Sequence, residues 1–199
     1  MPAKLFPAFI KLEGRPCLAV GAGSVGALKI ASLLDCGARV TVVAPQAAPE
    51  VQRLASRGAV GWVERGFVAD DLEGMFLVIA ATSSAEVNRA IFLEAHRRGI
   101  LCNSVDDPPN CDFYFPAVVR RGDLQIAIST AGESPALAQR IRRELEDALD
   151  ESLGAQVRQI GAMRRKILTT HPASEERKRL LQLLARHGIG QFSKEGTKR

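Results

Sequence analysis

The sequence predicts an α/β protein: a parallel sheet with helices on both faces, then a hairpin, then helices. Three observations carry that prediction. Short apolar runs alternate with stretches of helical periodicity up to about residue 105, which is the rhythm of parallel strands joined by crossover helices. The first run passes into a helix through three spaced glycines, in "CLAVGAGSVGALKI". After Asp112 the rhythm changes to two neighbouring apolar runs around a turn, and then to amphipathic helix. This change puts a boundary after residue 112.

The apolar runs at 17–20, 40–43, 60–63, 77–80 and 101–105 have the length and β-branched content of buried strands. Helices are expected at 25–35, where Val25, Leu28, Ile30, Ala31, Leu33 and Leu34 repeat at helical spacing, at 49–57, at 85–98, and weakly at 70–73. The connections should be right-handed crossovers. "FYFPAVVRRGDLQIAIS" reads as two strands turning at Arg121-Gly122-Asp123. An isolated hairpin is marginal, and Phe113, Phe115, Val118 and Val119 need cover, so a two-fold pairing of this segment is expected. "GESPALAQRIRRELEDALDESLG" opens a helix with Ser134 as N-cap and Pro135 in the first position. The pattern stays helical to about Arg186, with a restart at Pro172 and Ser174; "HGIG" then stops it, and the tail 191–199 reads as frayed.

Composition narrows the function classes. The chain has 199 residues and a net charge of +5. No apolar run approaches the roughly 18 residues of a membrane span, and the start "MPAKLFPAFIKLEG" is broken by prolines and lysines where a signal peptide needs an apolar stretch. A cytoplasmic protein without a membrane partner is expected. Cys17, Cys36, Cys102 and Cys111 are scattered singly and read as small buried hydrophobes. His96, His171 and His187 sit among basic residues on predicted helices, so no metal site is assembled. The basic excess lies toward the C-terminal end (Arg140, Arg142, Arg143, Arg158, Arg164, Arg165, Lys166, Arg177, Lys178, Arg179), interleaved with Glu and Asp. It reads as a solvated helical face that collectively attracts a polyanion. Nucleic acid is disfavoured as a partner, because there is one Trp and one Tyr in the chain and no aromatic platform among those arginines.

Gly21, Gly23 and Gly26 fit G-x-G-x-x-G between a strand and a helix, the Rossmann-type dinucleotide fingerprint. Gly21 serves the tight turn, Gly23 the approach of a pyrophosphate, and Gly26 close helix packing; the helix N-terminus offers free N–H groups. The acid expected at the end of the second strand is missing from "VTVVAPQ". Ala44 and Pro45 have no side-chain acceptor, so backbone groups or Gln46 must hold the ribose, and the lack of an arginine there favours NAD over NADP. Thr82 and Ser83 leave the fourth strand where a cofactor would lie, and they also suit the N-cap of the next helix. In "LCNSVDDPPNCDF", Asp106 or Asp107 could take the proton that accompanies hydride removal, or both could be turn residues ahead of Pro108.

The stretches "GAGSVGALKIASLLDCGARVTVVAP", "AATSSAEVN" and "CNSVDDPPNCDFYFPAVVRRGDLQIAISTAGESPALAQRIRREL" resemble the precorrin-2 dehydrogenase family, which also forms the dehydrogenase and ferrochelatase part of siroheme synthase. The resemblance runs from residue 5 to about 147. It implies NAD-dependent oxidation of precorrin-2 to sirohydrochlorin by a homodimer, with 1–112 as the NAD-binding Rossmann domain, 113–149 as the dimerisation segment and 150–199 as the helical domain. It places the essential aspartate on Asp106, cofactor contacts on Ser24, Val25, Pro45 and Gln46 beside Gly21, Gly23 and Thr82, and a serine-rich loop on Ser129, Thr130 and Ser134. Family members often carry alanine at Gly26, which is also small enough for close packing, and glycine at Ala131; Glu133 is an unexpected acid. The substrate is a polycarboxylate, for which Arg120, Arg121, Arg140 and the free amides of 134–136 could supply cations and donors. Iron insertion into sirohydrochlorin is left open. The rival reading is a nucleotide-sensing regulatory module, which needs no carboxylate at the fifth strand end.

Overall fold

Five parallel strands make the first sheet: β1 (Pro16–Ala22), β2 (Arg39–Ala47), β3 (Gly61–Val63), β4 (Leu77–Ala80) and β5 (Leu101–Ser104), in the order β3-β2-β1-β4-β5. The computed structural model describes residues 4–187. The expected stop at "HGIG" from residue 188 on, and the tail, lie outside the described residues. Helices α1 (Ser24–Asp35), α2 (Pro49–Ser56) and α3 (Ala85–Arg97) connect the strands. β1 shows why its run is continuously apolar. Cys17 and Ala19 pack with Ile30, Leu33 and Val42 on one face, and Leu18 and Val20 with Val78, Ile91 and Ala95 on the other. Burying a side chain of this kind contributes roughly 1.5–3 kcal/mol. The helix weakly expected at 70–73 is only a single 3-10 turn, Ala69–Leu72, in which the Asp71 carboxylate accepts from Val68 N–H at 2.9 Å and pairs with Arg65 at 2.6 Å.

Two strands run further than the sequence predicts. The β1–β2 register slips between Val20 and Ala22, and Ala48 N–H donates to the Ala22 carbonyl at 2.8 Å, which carries β2 through Pro45 and Gln46 to Ala47. Those two residues therefore belong to the end of β2 instead of following it. A proline in the run hid this, because proline donates nothing to a ladder.

Two compact units divide after Phe115, the first being Leu5–Phe115. In the second, β6 (Ala117–Arg121) pairs antiparallel with β7 (Leu124–Ile128), Arg121 opposite Leu124, across Gly122 and Asp123. α4 (Pro135–Ala148) follows its expected cap, the Ser134 hydroxyl accepting from Leu137 N–H at 3.2 Å. α5 (Leu153–Thr170) and α6 (Glu175–His187) complete the unit. Val119, Leu149 and Leu153 form its core with Leu124, Ile126, Ile128 and Leu145.

Phe113 and Phe115 precede the hairpin and pack on the core of the first sheet, while Val119 is 1% exposed inside its own unit, so these residues already have cover. The helix opened by Pro135 does not run on through "DES": Leu149 is extended, and the Asp150 carboxylate accepts from Ser152 N–H at 2.7 Å to turn the chain. Arg121, offered above as a substrate cation, caps that helix end, donating from Nε to Leu149 O at 3.0 Å and from Nη2 to Glu146 O at 2.5 Å. His171 is not helical; it takes an extended conformation (φ −122°, ψ 130°) after α5, as suits a residue before proline. Arg140 pairs with Glu144, Arg142 with Glu146 and Lys178 with Glu175, so three of the ten cations named toward the C-terminal end are balanced one helical turn away.

Gly154 opens α5 against the hairpin turn, where a Cβ would stand 2.7 Å from Arg121 O and 2.9 Å from Gly122 N. Gly154→Ala should destabilise the protein by about 1–3 kcal/mol through overpacking, read as a lower midpoint in urea unfolding. An unchanged midpoint contradicts this packing.

Candidate functional site

The order β3-β2-β1-β4-β5 reverses direction between β1 and β4, and ligands of open parallel sheets bind at the carboxyl ends of strands beside such a point. A cavity of about 730 Å³ lies there, within the range of ligand clefts. Seven of its lining residues were singled out from the sequence as cofactor contacts, Gly21, Gly23, Ser24, Val25, Pro45, Gln46 and Thr82, and Asp106 lines it too.

The three glycines do different things. Gly21 has φ +94°, and a Cβ on it would collide with the Ala81 carbonyl. Gly23 has nothing within 4 Å of its Cβ position and faces open space. At Gly26 a Cβ would stand 2.5 Å from Gly21 O, so in this backbone alanine does not fit without a shift of the turn, contrary to the expectation that either residue suits. α1 has no side-chain cap and no acid in its first turn. Its first N–H groups are left with no intrahelical partner, which is what an anionic ligand requires.

At the end of β2, the Ala44 carbonyl is taken by Trp62 Nε1–H at 3.0 Å, whereas Gln46 is exposed. Of the ribose-binding candidates, Gln46 is the free side chain. Trp62, Phe67 and Gly66 were not anticipated; Phe67 and Gly66 line the cavity from the loop after β3, where no periodicity marks them. At the exit of β4, Asn88 was also missed. Buried on α3, it accepts from Thr82 N–H (3.1 Å) and Thr82 hydroxyl (2.7 Å) and donates to Thr82 O (3.1 Å). The N-cap of α3 is Ser84, which accepts from Val87 N–H, and not Thr82 or Ser83. Thr82 thus reaches the cavity with its hydroxyl already engaged.

The two neighbouring carboxylates after β5 differ. Asp107 accepts from Asn110 Nδ2 at 2.6 Å and its carbonyl takes Asn110 N–H at 3.0 Å, which makes it the turn residue ahead of the prolines. Asp106 is exposed, lines the cavity, and holds φ +59°, a left-handed conformation that aspartate tolerates at a cost of about 1 kcal/mol. The loop beneath it is pinned: Asn103 Nδ2 donates to Phe113 O at 2.8 Å, and the Cys111 thiol donates to Ser104 O at 3.1 Å. Burial pushes the Cys17 thiol up to about 11 and the Cys102 thiol up to about 12, which keeps them protonated and inert. Cys36 and Cys111 are only half-buried. Among the described residues no three His, Cys, Asp or Glu side chains converge as metal ligands.

The serine-rich loop lies in the second unit and is tied to itself. Ser129 Oγ accepts from Ala131 N–H, and Thr130 Oγ1 accepts from Ser134 N–H, both at 3.1 Å. Of the amides expected free at 134–136, that of Ser134 is therefore bonded and Pro135 has none, which leaves Ala136. Ala131 has φ +53°, the reason a glycine suits this position better. Arg120 is exposed on β6.

Comparison with known proteins adds the family. Residues 8–117 match the model of a family described as putative NAD(P)-binding, and residues 121–148 match one described as sirohaem biosynthesis protein central. Siroheme synthase 1 of Serratia proteamaculans is 39% identical over 173 residues, 87% of this chain and 36% of its own length. Siroheme synthase 1 of Cronobacter sakazakii is 45% identical over 158 residues, 79% of this chain and 34% of its own. The chain thus spans little more than a third of these relatives. A solved structure titled SirC, precorrin-2 dehydrogenase, superimposes with a TM-score of 0.76 at 29% identity, covering 94% of this chain and 92% of that one.

Gly23→Asp should keep the fold, because its Cβ position is open and its φ is −72°. A carboxylate beside the pyrophosphate costs several kcal/mol, so NAD affinity should fall by about 100-fold or more. Titration of NAD into the variant, with circular dichroism as the control for folding, checks it.

Proposed function

The chain belongs to the family of NAD(P)-binding siroheme-biosynthesis proteins that includes precorrin-2 dehydrogenase, and we propose that it oxidises precorrin-2 to sirohydrochlorin with NAD. The observation that carries this reading is the position of Asp106 on the same cavity as the glycine turn. A nucleotide-sensing module has no use for a carboxylate there.

The residues fit the cofactor. The uncapped first turn of α1 at Ser24 and Val25 takes the pyrophosphate, Gly23 lets it approach, and Gln46 with the backbone at Pro45 holds the ribose. NAD, when bound, accepts the hydride. Asp106 takes the proton that leaves the macrocycle, or orients the ring for its loss, while Asp107 keeps the turn and Thr82, clamped by Asn88, keeps the wall of the cleft. Ser129, Thr130, Ser134 and Arg120 are proposed as substrate contacts through the carboxylates of the tetrapyrrole. No described helix is long and apolar enough to cross a membrane, and a cytoplasmic enzyme fits the chemistry.

A homodimer built on 113–149, with 150–199 as the helical domain, is part of the proposal. The phenylalanines are covered within the first unit, and the two-stranded sheet β6–β7 has no further strand on either side among the described residues. Open strand edges invite a second copy. Sedimentation equilibrium should give twice the 21.5 kDa of the chain; a concentration-independent monomer contradicts it.

Asp106→Asn keeps the shape and removes the base. The rate of NADH formation from precorrin-2 should fall about 10²- to 10⁴-fold with NAD affinity unchanged, while Asp107→Asn stays near the unaltered rate. Equal rates in the two variants sink the assignment of Asp106.

A further inference from the structure

We propose that Lys29 binds a carboxylate of the substrate and thereby sets the macrocycle against Asp106. This rests on the reading of the substrate as a tetrapyrrole polycarboxylate.

Lys29 is on α1, five residues beyond Ser24 and so roughly 7.5 Å further along the helix axis than the turn that faces the pyrophosphate. It does not line the cofactor cavity. Its ammonium stands 3.8 Å from the centroid of the Phe115 ring. Phe115 is fixed in turn: it tilts against Phe113 with centroids 5.6 Å apart, and both pack on the core of the first sheet. The side chain is therefore held on an aromatic shelf, the usual geometry of a cation over a ring face.

Its charge is incompletely balanced. Among the described residues no carboxylate comes within ion-pair distance of Lys29, in contrast to Arg65, Arg97, Arg98, Arg140 and Arg142. Asp106 is the acid whose field it feels. Burial lowers the pKa of the ammonium, and the attraction of Asp106 only partly opposes that. A half-buried cation in this condition gains from any anion that docks on it, and an ionised acceptor makes the stronger class of hydrogen bond. Phe113, the ring against which Phe115 tilts, accepts through its carbonyl from Asn103 at the end of β5, three residues before Asp106, so an anion on Lys29 lies toward the side of the cleft that Asp106 lines. The pyrophosphate has its own site at Gly23, Ser24 and Val25, so the group left for Lys29 is a substrate carboxylate.

The test uses the full chain with Lys29→Met and Lys29→Arg. Three constants are measured: KM for precorrin-2, Kd for sirohydrochlorin by absorbance, and Kd for NAD. Loss of one charge-assisted bond should raise both tetrapyrrole constants about 10- to 100-fold in the Met variant, leave NAD within about 2-fold, and be largely restored by Arg. Unaltered tetrapyrrole constants in Lys29→Met overturn the proposal. So does a rise in the NAD constant that parallels the tetrapyrrole constants, or an Arg variant as weak as the Met one. If Lys29→Met fails to fold, Lys29→Gln supplies the neutral side chain for the same measurements. If the unaltered protein makes no NADH from precorrin-2, the dehydrogenase reading fails, and the sirohydrochlorin titration still decides the role of Lys29.

Discussion

The close approach of Gly21 to the Ala81 backbone is the constraint on which the cleft depends. It lies where β1 leaves its register with β2 at the switch point, and it brings the exit of β4 alongside. Gly26 then packs directly on Gly21, so the helix can start only where it does. Two backbone contacts without side chains thus determine where the free N–H groups point. Asn88 secures the other bank through Thr82, and the run of β2 to Ala47 brings Pro45 and Gln46 to the edge.

Residues of one chemical type divide their duties through their partners. Asp106 and Asp107 are adjacent and identical in kind; Asp107 is engaged with Asn110, and Asp106, in a left-handed backbone conformation, faces the cavity. Arg121 and Arg120 are also adjacent. Arg121 closes the carbonyl end of α4, and Arg120 is exposed on the strand. Arg140 is paired along its helix, whereas Lys29 rests on a ring and feels only a distant acid. A polyanionic substrate gains most from cations of the last kind, since those already paired have little attraction left.

The sequence by itself determined the five strands, the crossover helices, the glycine turn, the Ser134 cap and the place of the hairpin turn, because each rests on local periodicity or on the conformational limits of Gly, Pro and Ser. It also brought the proposed cofactor residues to one cavity, since the carboxyl ends of parallel strands meet by topology. Only the tertiary structure decided how far β2 runs, which of two neighbouring aspartates faces the cleft, that Arg121 is a cap, that Asn88 holds Thr82, and that Gly26 has no room for a methyl. Some of those outcomes depend on groups far apart in the chain, as Arg121 is from Leu149 and Ala48 from Ala22; others, such as Asn88 with Thr82 and Gly26 with Gly21, join near neighbours that only a particular turn of the backbone brings into contact. Periodicity records which face of an element is apolar, and it carries no trace of which polar partner reaches a given carbonyl or carboxylate.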